Sequence, residues 1–232
     1  MMSPANRILA ALPGQELARL ARDLEPVELK RRQVAWSAGE ALQHVYFPES
    51  GAVALVSRTG EGTLLETGLV GSDGVVGLEA FFNAPTAQQQ AVVLLPGTAH
   101  RIPVQAFAPV CASGTALHEV MQRFVHARMV ALAQSAACDA THSIRHRCVR
   151  RLLALHDYAG ADHFPLTQQV LAALLGVRRA SVSVAAEKLQ AAGVILYEHG
   201  RMHVADRVGL EKAACACYQQ MKLHWTESFS GC

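Results

Sequence analysis

Apolar positions along this chain change their period three times, and each change predicts a different kind of element. In residues 6–25 the spacing is helical. Leu17, Leu20, Ala21 and Leu24 repeat three or four apart, Asn6 is placed to cap a first helix, and Pro13–Gly14 divides it from a second. From Pro26 the runs are short and strand-like: Val27 with Leu29, Val34 with Trp36, Val45–Phe47, Ala52–Ser57, Leu64–Val70 and Ala91–Leu95. Turn-forming stretches lie between them, at Ser37–Gly39, Pro48–Gly51, Thr59–Gly62, Gly71–Gly74, Asn83–Pro85 and Pro96–Thr98. Short strands at this spacing predict a small antiparallel barrel or sandwich.

No Gly or Pro interrupts Thr115–Ala159, which predicts a long helix with a break near Asp139. Leu117, Val120, Met121, Phe124, Ala127, Ala131, Ser135 and Cys138 fall three or four apart and make a seam that narrows to small residues. A seam of this kind suits pairing with a second copy of the helix. It suits packing on the chain's own barrel equally well.

Residues 164–204 carry sharper punctuation. Thr167 caps a helix to Leu175, Gly176 stops it, and Val177–Arg179 is a short turn. A second helix runs from about Ala180 to Ala192 and ends at Gly193. Ser181–Val184 alternates like a strand, but the alanine-rich continuation decides for helix. Val194–Tyr197 and Met202–Ala205 then flank a tight turn at Glu198–Arg201. Helix, short turn, helix and hairpin is the order of a helix-turn-helix with a wing. The fold class predicted is therefore α+β.

A helical wheel sorts the second helix. Val182, Ala185, Ala186 and Leu189 face inward with Leu171, Leu174 and Leu175, while Ala180, Val184, Glu187, Lys188 and Ala191 face out, flanked by Ser181 and Ser183. Arg178 and Arg179 stand at the helix entrance, where free N–H groups also favour phosphate. The contact set predicted for DNA is Thr167, Gln168, Arg178, Arg179, Ala180, Ser181, Ser183, Val184 and Lys188, with His199 and Arg201 on the wing. Arg suits guanine, hydroxyls suit phosphate or base, and Ala180 and Val184 suit thymine methyls.

Charge agrees with an anionic partner for this part of the chain. The net charge is only +2, but residues 142–212 hold 10 Lys/Arg against 6 Asp/Glu, whereas residues 1–138 hold 10 against 11. Hydrophobic residues make up 51% of the 232 and charged residues 17%, which excludes a disordered chain. No apolar run has the length of a membrane span or a secretory core segment, so no membrane partner and a cytoplasmic location are expected. The six cysteines are then expected to be reduced. No nucleophile elbow, phosphate loop or His-Glu-x-x-His sequence is present, and an enzyme is not predicted.

Three segments resemble a known family in its own order. Leu166–Gln169, Leu174–Val182 and Leu189–Ile195 resemble the helix-turn-helix of the cyclic-AMP receptor protein/fumarate-nitrate regulator (Crp/Fnr) superfamily. Gly39–Glu40, Val45–Gly51 and Gly68–Gly71 resemble its cyclic-nucleotide-binding-like β-roll. The resemblance implies a sensory β-roll with N-terminal helices over residues 1–114, a dimerisation helix over 115–140 and a winged helix-turn-helix over 141–232. It implies a homodimeric regulator of transcription bound to double-stranded DNA, with RNA polymerase as a further partner. It also turns the open seam toward a dimer interface of Leu117, Val120, Met121, Phe124, Ala127, Ala131 and Ser135. The alternative from another class is a sensor or interaction module whose winged helix contacts protein.

Departures from the family narrow the cofactors. The ligand pocket expected by resemblance falls at Gly77, Glu79, Gln89 and Gln90. Leu78 separates Gly77 from Glu79, and Gln88–Gln90 offers no Arg for a cyclic phosphate. Cyclic AMP is not expected to bind. The first cysteine is Cys111, so the N-terminal cysteines of the iron–sulfur branch are missing. No effector is assigned. Cys138, His142 and His146 repeat every four residues and offer soft metal ligands, to which Cys215 and Cys217 would add. A buried Cys beside two solvent-facing histidines explains the spacing as well, and no metal is assigned. A thiol redox sensor would need a lowered pKa, for which only Cys148 has basic sequence neighbours.

Overall fold

Asn6 shows how one polar residue seats the N-terminus. Its Oδ1 accepts from the N–H groups of Ile8 and Leu9, capping α1 (Arg7–Ala10). Its Nδ2 donates to the carbonyls of Pro48 and Gly74 at 2.9 and 2.8 Å, so a fully buried side chain has every partner it needs. The computed structural model describes residues 3–229. After α2 (Gly14–Leu20) come β1 (Glu25–Leu29), β2 (Val34–Trp36), β3 (His44–Pro48), β4 (Ala52–Arg58) and β5 (Leu64–Val70). A 3-10 turn at Leu78–Phe82 leads to β6 (Gln90–Leu95) and β7 (Gly97–Pro103). Two antiparallel sheets result, ordered β1-β7-β3 and β2-β6-β4-β5.

Strand β7 starts inside the turn expected at Pro96–Thr98 and runs on through residues 99–103, where no strand was expected. Only Ala99 and Ile102 on it are deeply buried, while Thr98, His100 and Arg101 are polar, so the run lacks an apolar signature. Its register against β1 and β3 supplies the order instead.

Beyond α3 (Val104–Val110) runs α4 (Ala116–Thr141), capped by the Thr115 hydroxyl. The break falls at His142–Ser143, three residues past the expected one. His142 is extended, and Ser143 caps α5 (Ile144–Ala159) by accepting from the His146 N–H. Then follow β8 (His163–Pro165), α6 (Gln168–Leu175), α7 (Arg179–Ala191), β9 (Ile195–Glu198), β10 (Arg201–Val204), α8 (Arg207–Lys212) and α9 (Ala216–Phe229). Strand β8 adds to the expected hairpin, giving the order β8-β10-β9.

Two apolar cores hold the molecule. One fills the roll and includes Leu117, Val120, Met121 and Phe124 of α4. The other joins Ala52, Ala54, Leu69 and Leu95 on the roll to Leu152 and Leu153 of α5 and to the α6–α7 pair. The second core docks the C-terminal unit on the four-stranded sheet. No single helix among the described residues is long and apolar enough to cross a membrane.

The seam expected at a dimer interface is used differently. Leu117, Val120, Met121, Phe124, Ala127 and Ala131 are all buried within one chain, with Phe124 only 1% exposed. Ser135 is half-buried and its hydroxyl accepts from Arg150 Nη1 at 3.0 Å. The sequence could not separate the two faces of α4 because both are rich in apolar or small residues. The face left open carries Gln122, His126, Met129, Ala133, Ala136 and Ala140, all exposed.

Candidate nucleic-acid interface

The reading unit is built from short-range signals. The Thr167 hydroxyl accepts from the Val170 N–H at 3.1 Å and starts α6. Gly176 ends it at φ +63°, and a Cβ there would also press within 2.9 Å of Leu65 Cδ2 on β5. The chain then turns by 113° into α7, within the range of a helix-turn-helix. Helix α7 begins at Arg179, one residue earlier than expected, with Arg178 extended before it.

Val182, Ala185, Ala186 and Leu189 are buried against α6, as the wheel predicts. Arg178, Arg179, Ala180, Glu187, Lys188 and Ala191 are exposed, and Val184 is 53% exposed, a large apolar side chain open to water. Ser181 and Ser183 are half-buried. The Ser183 hydroxyl donates to Gln168 Oε1 at 2.6 Å and so ties α7 to the start of α6. The wing places His199 and Arg201 in the open, and its turn needs positive φ at both His199 (+49°) and Gly200 (+77°). Tyr197 ties the wing to the segment just before α6 by donating its hydroxyl to the Leu166 carbonyl at 2.6 Å. Glu187, left out of the predicted contact set, lies on one stripe with Ala180, Val184 and Ala191. A carboxylate there accepts from cytosine N4 and repels phosphate.

Of the residues expected at the ligand pocket, Gln89 is engaged within the roll. Gln89 Nε2 donates to Ser57 Oγ at 3.0 Å and to Thr67 Oγ1, and the Gln89 carbonyl accepts from Trp36 Nε1 at 3.1 Å. Gly77 precedes the 3-10 turn with φ +99°. A separate cavity of about 650 Å³ opens between β5, α4, α5 and α9, with Glu66, Asp73, Arg128, Arg150, Arg151 and Lys222 on its walls. Arg151 Nη2 stands 2.9 Å from Glu66 Oε2, although neither carboxylate oxygen accepts a well-directed hydrogen bond. Burial pushes the Glu66 carboxyl up, against the pull of Arg151. Asp73 is likewise pushed up by burial and accepts from the Tyr158 hydroxyl at 2.7 Å. Gly68 on β5 leaves room for the Arg128 guanidinium, which a Cβ would overlap.

Cys148 is not the sensitised thiol that its neighbours imply. Burial outweighs Arg147 and pushes it up to about 11. Cys138, His142, Cys215 and Cys217, by contrast, converge, while His146 stays outside this group with its ring edge-on to His142. The 216–229 helix itself was missed, although Tyr218, Met221, Trp225 and Phe229 repeat at helical spacing.

A β-roll, a connecting helix and an exposed, basic helix-turn-helix with a wing define a DNA-binding regulator of transcription. The comparisons agree. Residues 26–113 match the family model described as a cyclic nucleotide-binding domain, and residues 146–213 match that of a Crp-like helix-turn-helix domain. With both parts in this order, the chain belongs to the Crp/Fnr superfamily of transcription regulators.

A comparison with curated proteins gives no match. Among solved structures, a CRP-family transcriptional regulator from Thermus thermophilus is similar at 23% identity and a TM-score of 0.67, over 81% of this chain and 96% of that one. FixK2 from Bradyrhizobium japonicum is similar at 15% identity and a TM-score of 0.66, over 83% and 98%. The c-di-GMP-responsive global regulator CLP of Xanthomonas campestris is similar at 19% identity and a TM-score of 0.62, over 83% and 99%. At these identities the likeness carries the fold alone.

Proposed function

We propose that two copies of this chain pair along the open face of α4 and read an inverted-repeat DNA site, one α7 in each of two adjacent major grooves. The observation that carries the reading is the outward face of α7. Arg178, Arg179, Ala180 and Val184 are uncovered there, with the wing beside them. Arg179 takes a guanine edge and Val184 a thymine methyl, while Arg178, Lys188, His199 and Arg201 meet phosphate. Two-fold pairing sets the half-sites about 34 Å apart, one helical turn. Bound to DNA in the cytoplasm, the dimer makes contact with RNA polymerase.

Cyclic AMP is not the effector in this reading. Gln88–Gln90 brings no cation to a cyclic phosphate, and the Gln89 amide is already paired with Ser57 and Thr67. Selection of bound sequences from random DNA tests the whole proposal. A near-palindromic site is expected, bound with affinity that falls steeply with salt and is indifferent to added cyclic AMP. Failure to enrich any sequence, or enrichment only with the nucleotide, overturns it.

A further inference from the structure

Three of the six cysteines meet at one point that neither apolar core includes. Cys138 lies in the last turn of α4, Cys215 precedes α9 and Cys217 lies in its first turn, and the three form a small buried cluster of their own. A buried thiol with no other task packs among aliphatic side chains. These turn toward one another and toward His142, at the α4–α5 break.

The spacing is that of ligands around one ion. Cys138 Sγ and Cys215 Sγ are 3.8 Å apart, and His142 Nδ1 is 3.3 Å from Cys138 Sγ and 3.6 Å from Cys217 Sγ. All four donor atoms lie within 4.8 Å of one another. A tetrahedral zinc ion with its usual bond lengths has sulfur–sulfur edges of about 3.8 Å and sulfur–nitrogen edges of about 3.5 Å. A polynuclear iron–sulfur cluster binds its cysteines through different iron atoms and holds them further apart. Two supporting groups are in place. Gln134 Nε2 points at Cys217 Sγ at 3.1 Å, and the buried Arg150 brings positive charge to Cys138.

We propose that Cys138, His142, Cys215 and Cys217 bind a single zinc-class divalent ion in a tetrahedral site of three thiolates and one imidazole. The thiols give up their protons to solvent on binding, and no oxidant or reductant takes part. The ion joins the end of α4, the α4–α5 break and the start of α9. It therefore pins the return of the chain from the DNA-reading unit to the point where the chain entered that unit.

The test uses the full-length protein, reduced and stripped of metal, titrated with cobalt as the probe. One cobalt per chain is expected, with the visible bands of a tetrahedral, thiolate-rich site and displacement by zinc. Cys138→Ser and Cys217→Ser should lose this spectrum, and Cys111→Ser and Cys148→Ser should keep it. Because a ligand variant can fail to fold, His142→Cys provides a second arm, retaining binding with the spectrum of a four-sulfur site. Gln134→Ala should weaken binding about tenfold. An octahedral spectrum, uptake independent of Cys138, a Cys138–Cys215 disulfide in place of uptake, or recovery of iron with sulfide would each overturn the proposal. None of these readouts depends on DNA binding, so this site and the reading of α7 can fail separately.

Discussion

At the scale of single residues, the exposed arginines divide by what lies next to them. Arg179 opens α7 directly before the exposed Ala180–Val184 stripe, and in the proposed reading its guanidinium takes a base edge. Arg201 sits on the wing, apart from that stripe. Arg179→Ala should cost about 1–3 kcal/mol and relax preference at one base pair per half-site, whereas Arg201→Ala should weaken all sequences alike and lower the salt slope by about one charge. Binding measured against single-base variants at several salt concentrations separates the two. Uniform loss from Arg179→Ala would show the roles reversed. These residues were legible in the sequence because local signals fix them: the Thr167 cap, the Gly176 stop and the helical period of Val182, Ala185 and Leu189. The fate of the Ser183 hydroxyl was not, because its partner Gln168 belongs to another helix.

At the scale of elements, α4 has one face buried in its own chain and one left open, along which the proposed dimer pairs. Phe124 packs against Trp225 with ring centres 5.7 Å apart, inside the roll's core. Met129, 64% exposed, begins the lower half of the open stripe that continues through Ala133, Ala136 and Ala140. Small residues there allow two helices to approach closely. Met129→Asp or Ala133→Asp should leave the fold intact and shift the protein from dimer to monomer, by about 2 kcal/mol or more in association. Phe124→Asp should instead lower the melting temperature sharply, because its charge enters a single chain's core. Sedimentation and thermal unfolding distinguish these outcomes. A dimer unaffected by Met129→Asp and Ala133→Asp would place the contact elsewhere. Periodicity found the helix but not that the chain buries the seam itself. What covers Phe124 is α9, about 100 residues further along, a contact no local pattern encodes. Strands β7 and β8 were hidden for a similar reason, being ordered by neighbours and not by apolar alternation.

At the scale of the whole molecule, the roll and the DNA-reading unit are not beads on a string. Leu69 and Leu95 share a core with Leu152 and Leu153, and Arg151 reaches from α5 to Glu66 on β5. Removing one partner of that buried pair leaves an uncompensated charge, at a cost of about 3–5 kcal/mol. Any change in how the reading unit sits on the roll must therefore rearrange this interface as a body.

The meeting of Cys138, His142 and Cys215 gives the molecule a narrow neck. The chain leaves α4 there, builds everything from α5 to α8, and comes back to the same place before running along α4 as α9. In topological terms the DNA-reading unit is an insertion into a two-helix hairpin, and a swing of that unit has to strain the hairpin or slide it. The optics of the chain are well placed to see this. Its two tryptophans are Trp36, sealed inside the roll, and Trp225, partly open on α9. In a Trp36→Phe protein, the remaining emission should shift in wavelength when operator DNA binds, as the contact between Trp225 and Phe124 readjusts. An emission spectrum that stays fixed at saturating operator would mean that the reading unit arrives on DNA already in its final pose.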